Sequence, residues 1–93
     1  MRLTEAERNS IRTIIFHLDP EAQIYLFGSR TDDKKRGGDI DLLILSAKIS
    51  EKDYRGIKLK LYDALGEQKI DLLIAKDTSD PFVRIALEKG MLI

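Results

Sequence analysis

Two carboxylates one residue apart, Asp39 and Asp41, stand inside the string Gly38-Asp39-Ile40-Asp41-Leu42-Leu43-Ile44, and a third, Asp71, opens a second apolar run. Upstream, Gly28-Ser29 closes an apolar segment and is separated from the paired carboxylates by a polar loop. Side chains alternate faces along a strand, so Asp39 and Asp41 are expected to point the same way, with Cα atoms about 6.5 to 7 Å apart. The same parity puts Asp71 on one face of its strand and Ile70, Leu72 and Ile74 on the other. Strands neighbouring in the register of their similar patterns would bring all three carboxylates together. Three like charges this close repel and destabilise an empty site, and a divalent cation removes that cost. Magnesium takes oxygen ligands, keeps some waters, and is usually held by one or two carboxylates together with substrate phosphates. Two such ions about 3.5 to 4 Å apart activate an attacking hydroxyl and stabilise a leaving pyrophosphate. Gly28 lets backbone approach phosphate closely, and turn amides with the Ser29 hydroxyl can hold its oxygens.

The elements that must position these residues are legible in turn. Thr4 and Glu7 have the spacing of a capping box, and Ile11, Ile14, Ile15 and Leu18 share a helical face, which predicts a first helix over 4–18 ended by Asp19-Pro20. Ile24 to Phe27 predicts a buried strand that stops at Gly28, and Asp39 to Leu45 a second one. Near Ser50 another helix starts, with Tyr54, Ile57, Leu61 and Leu65 on one face and Gly66 as its stop. Ile70 to Ala75 is a third strand, and Asp80-Pro81 begins a last helix to about Lys89-Gly90. The expected fold is α/β (α+β in some schemes), a mixed sheet of about three strands in the order αββαβα. The unit from the second strand to the third is expected to be parallel and right-handed, while the direction of the first strand is left open.

At 93 residues the chain fits one domain, 1–93, burying roughly 60 to 65% of the surface of its unfolded form. Hydrophobic content of 43% with 34% charged residues describes a globular protein, and a net charge of zero gives no global pull toward nucleic acid or an acidic membrane. Without cysteine there is no disulfide, thiolate nucleophile or cysteine zinc site, and a single histidine, His17, excludes a multi-histidine cluster. The start Met1-Arg2-Leu3-Thr4-Glu5-Ala6-Glu7 lacks a signal-peptide core and no apolar run approaches the ~20 residues of a membrane span, so a cytoplasmic location is expected.

Taken together, Leu26-Phe27-Gly28-Ser29-Arg30, Gly38-Asp39-Ile40-Asp41-Leu42-Leu43-Ile44 and Asp71 in an apolar strand resemble the minimal nucleotidyltransferases (MNT) of the DNA polymerase beta superfamily. The resemblance covers nearly the whole chain and implies transfer of a nucleoside monophosphate from a triphosphate, with release of pyrophosphate. By matching position it implies nucleotide binding by Gly28, Ser29, Arg30 and Gly38, ligation of two Mg2+ ions by Asp39 and Asp41, and ligation of the catalytic ion and activation of an acceptor hydroxyl by Asp71. Two departures stand out. Thr31-Asp32-Asp33 replaces a frequent Ala-Arg-Gly, which leaves Arg30 or the cluster Lys34, Lys35 and Arg36 to supply cationic charge, and Gly38 stands where serine is frequent. Since nothing after Ile93 is left to recognise an acceptor, the acceptor is expected on a partner protein. Minimal nucleotidyltransferases are often paired with a small helical HEPN protein in two-gene modules, where the resemblance implies an antitoxin that adds AMP from ATP to a tyrosine of a toxic RNase in a hetero-oligomer. The alternative is a binding module that neutralises or scaffolds such a partner by contact alone.

Other residues have plainer readings. The Lys34-Lys35-Arg36 run reads as a solvated loop, with a mobile basic lid next to a triphosphate as the alternative, His17 as a boundary residue beside the apolar stripe, and Tyr25, Tyr54 and Tyr62 as packing groups. Leu59 and part of Met91-Leu92-Ile93 fall off the helix faces and hint at a partner surface.

Overall fold

The computed structural model describes residues 3–28, 40–66 and 69–93. Helix α1, Glu5–Leu18, begins at the expected capping box: the Thr4 hydroxyl accepts from the Glu7 amide at 3.0 Å and the Glu7 carboxylate accepts from the Thr4 amide at 2.9 Å. Strand β1, Gln23–Phe27, leads to Gly28, and β2 spans Ile40–Leu45. A single 3-10 turn, Glu51–Asp53, intervenes between Ser50 and helix α2, Tyr54–Leu65, because the Asp53 carboxylate accepts from the Ser50 amide and tightens the entry. Gly66 caps α2 in the left-handed region at φ 84°. Strand β3, Ile70–Ala75, and helix α3, Pro81–Lys89, follow as expected, with the Asp80 carboxylate accepting from the Phe82 amide at the start of α3.

One strand was absent from the sequence reading. Met91–Leu92 form β4, paired antiparallel to β1, and Ile93 is buried in the core, so this segment closes a sheet edge and is not simply partner surface. Two residues carry too little period to announce a strand; the pairing with β1 creates it.

The sheet is mixed, in the order β3-β2-β1-β4. β1 runs antiparallel to β2, which resolves the direction left open above, and β2 and β3 are parallel. The strings Ile40-Asp41-Leu42-Leu43-Ile44 and Ile70-Asp71-Leu72-Leu73-Ile74 are identical and pair without offset, each residue opposite its counterpart. A one-residue slip would turn every apolar side chain to the wrong face, so the shared pattern holds the register.

The alternation divides the core. Ile24, Leu26, Ile40, Leu42, Ile44 and Ile70 face α1 and α2, meeting Ile11, Ile15, Ile57 and Leu61. On the opposite face Leu43 packs with Val83 and Ala86 of α3, flanked by half-buried Tyr25, Phe27, Leu45, Leu73 and Ala75. Asp41 and Asp71 share the parity of this second face.

Candidate active site

Pairing across the sheet builds one row from three strands: Phe27 of β1 lies opposite Asp41 of β2, which lies opposite Asp71 of β3. Register partners project to the same face, and adjacent strands are about 4.8 Å apart, so the two carboxylates stand side by side. Both are half-buried. Like charges directly opposite each other on adjacent strands destabilise a sheet. A purely structural sequence would avoid that pairing.

Gly28 completes the row. Its backbone is left-handed, at φ 79°, and a Cβ built there would run into the Asp41 carboxylate, whose Cγ would be 3.1 Å away. Glycine is therefore required twice, for the conformation and for the space beside Asp41. The fold brings Gly28, Asp41 and Asp71 to one end of the α3 face. Ser29, Arg30, Gly38 and Asp39 lie outside the described residues, as do Lys34, Lys35 and Arg36.

The donor set fits a hard divalent cation: two adjacent carboxylates supply oxygen ligands and the missing side chain at Gly28 leaves room next to one of them. Among the described residues no group of three or more metal-ligating side chains occurs; the third carboxylate of the expected set, Asp39, is not among them.

Sequence reasoning passed over a cluster on α2. Tyr54, Lys58 and Tyr62 recur every fourth residue, a spacing that stacks side chains on one helix flank. The Lys58 ammonium donates to the Tyr54 hydroxyl at 3.3 Å and sits 5.3 Å from the Tyr54 ring centre and 6.0 Å from that of Tyr62. The Tyr54 hydroxyl holds the lysine above its ordinary pKa, against partial desolvation, with further help from Tyr62 and from the negative charge of Asp71. Tyr54 and Tyr62, read as packing groups, thus frame a cation that is held chiefly by the Tyr54 hydroxyl, with Asp71 the smallest contributor. His17 is exposed, in keeping with a boundary role.

At the far end of β2 a second polar cluster is structural. Asp19 and Ser46 are buried, and the Ser46 hydroxyl donates to Asp19 Oδ2 at 2.5 Å while accepting from the Lys48 and Ile49 amides at 3.0 and 2.8 Å. The Glu21 amide donates to Asp19 Oδ1 at 3.0 Å. The Ser46 hydroxyl foremost, then the Glu21 amide and the charge of Lys48, hold the Asp19 carboxyl below its ordinary value against the cost of burial. These bonds tie the end of α1 to the end of β2.

Comparison with known families gives one result that covers most of the chain: the family model described as polymerase beta, nucleotidyltransferase, matches residues 9–93. No curated protein matches the sequence. Among the described residues no helix is long and apolar enough to cross a membrane.

Proposed function

Because this chain belongs to the polymerase beta nucleotidyltransferase family, we propose that it transfers AMP from ATP to a hydroxyl of a partner protein, with two magnesium ions as cofactor. The observation that carries this reading is the pair Asp41 and Asp71, half-buried and in register on adjacent strands, beside a glycine that has no room for a side chain. Residues 1–93 act as a single nucleotidyltransferase domain.

Asp39, Asp41 and Asp71 would hold the ions, and Gly28, Ser29, Arg30 and Gly38 would take the triphosphate. When bound, the ions stabilise negative charge on the attacking and leaving oxygens. The chain's own residues orient the reactants. Gly28 keeps the turn close to phosphate, and Asp41 is anchored in the most deeply packed strand, so its carboxylate has little freedom to drift. Asp71 receives the proton of the acceptor hydroxyl as that oxygen bonds to the α-phosphorus. The bond from this phosphorus to the bridging oxygen breaks, and pyrophosphate leaves with the electron pair.

The resemblance to minimal nucleotidyltransferases supports a small helical HEPN toxin as the partner, modified on a tyrosine in a cytoplasmic hetero-oligomer in which this chain is the antitoxin. Incubating the purified protein with that partner, ATP and magnesium should raise the partner's mass by whole AMP units. An unchanged mass, with both proteins folded and in complex, would refute the proposal; neutralisation that survives D39A/D41A would assign the chain to binding by contact alone.

A further inference from the structure

Among the described residues the sheet ends on β3 at one side and β4 at the other, and the two differ. β4 has two residues, too few to template another strand. β3 has six, hydrogen-bonds to β2 on one side, and contains no proline and one charge, Asp71. Natural sheets guard long apolar edges with lysine, proline, bulges or a covering element. Ile70–Ala75 itself contains no lysine or proline, although Lys69 and Lys76 flank it, and Asp71 to Ala75 are all only half-buried. An open edge of this kind offers main-chain donors and acceptors to an extended segment, which is the chemistry of strand addition.

The position of Asp71 gives that edge a functional direction. Its inner neighbour in the sheet is Asp41; its outer neighbour would be a residue of the added strand, on the same face and about 4.8 Å away across the backbone. The flank of α2 beside this edge supplies a charge. Ile57 and Leu61 face the core and Ala64 lines a shallow dent with Asn9 and Ser10 of α1, so the helical period turns Tyr54, Lys58 and Tyr62 to the opposite flank, away from α1 and toward β3's open side. Lys58 is held there between two rings and favours an acidic side chain on whatever docks.

We propose that the open edge of β3 is the docking site for the protein acceptor: an extended segment adds as a fifth strand, with its hydroxyl-bearing residue beside Asp71 and an acidic residue against Lys58. This rests on the transferase reading above. In the docked state the acceptor oxygen bonds to the α-phosphorus of the nucleoside triphosphate, its proton passes to Asp71, and the phosphorus–oxygen bond to pyrophosphate breaks with the electrons leaving on pyrophosphate.

The test uses the full chain with MgATP and a capped octapeptide of alternating valine and threonine, interrupted by one tyrosine and one glutamate. Amide hydrogen exchange over 70–75 should slow about tenfold at a peptide concentration about ten times its Kd, and the peptide should gain AMP. A twin peptide N-methylated at every amide keeps its side chains but loses its donors, and should do neither. Lys58→Glu should weaken the glutamate peptide and favour one carrying lysine instead. Exchange over 70–75 that is unchanged by the peptide, or that stays unchanged while the partner protein is being modified, overturns the docking proposal. So does protection already present in a dimer of this chain without peptide. Protection of 70–75 by the partner protein without AMP transfer to it upholds the docking and removes the transferase reading.

Discussion

The proposed chemistry rests on single residues, and two of them give opposite expectations for stability and activity. Asp41 and Asp71 face each other as like charges, so Asp41→Asn or Asp71→Asn should leave the melting temperature unchanged or raise it in the absence of metal. Transfer should fall by about 10²-fold or more, the scale on which single charge-stabilising groups act. A parallel loss of melting temperature and activity would mark these carboxylates as structural. Gly28→Ala makes the contrasting case. The left-handed backbone costs an alanine about 1 to 2 kcal/mol, and its methyl displaces the Asp41 carboxylate, so chemical denaturation and transfer assays should both register a loss. At this scale the motif string alone pointed to Asp41, Asp71 and Gly28 as candidate site residues, and the fold brings these three together. It did not reveal that Gly28 packs against Asp41, because that contact crosses between two strands, nor that Tyr54, Lys58 and Tyr62 form a group, because the apolar stripe beside them dominates the pattern.

Elements meet at their ends, and the joint between α1 and β2 is titratable. Asp19 has a folded pKa below its ordinary 3.8, so its contribution to stability is fully present above that pH and is lost as the pH falls through the folded value. Asp77, held down by the Ser79 hydroxyl and amide, acts in the same direction at the end of β3. Urea unfolding followed from about pH 7 to about pH 2 should show wild-type stability declining in the acid limb, and a shallower decline in Asp19→Asn. An acid limb of unchanged slope would mean that the Ser46 clasp contributes nothing. Helix and strand positions followed from local signals: capping at Thr4, proline after Asp19 and at α3, glycine at Gly66. β4 had no such signal, because a strand of two residues exists only through its partner.

Across the whole molecule the two faces of the sheet bear unequal loads. The face under α1 and α2 holds the larger cluster, with Leu42 fully buried at its centre, while α3 covers the other face only in part. Leu42→Ala should therefore cost about 2 to 5 kcal/mol. Truncating exposed Leu92 should stay within about 0.5 kcal/mol, and calorimetry on the two variants separates these outcomes. Among the described residues, Asp41, Asp71 and the rest of β3 after Ile70 are half-buried. The sequence by itself determined the helices, three of the four described strands and the residue types of the candidate site, since these follow from periods, caps and glycines within a few positions of each other. Only the tertiary structure decided that β1 runs antiparallel, that β4 exists, that β3 ends the sheet among the described residues, and that Asp41 and Asp71 meet without offset beside Gly28. Those facts depend on hydrogen bonds between segments far apart in the chain, and a local pattern constrains the face that a strand presents without choosing its neighbour.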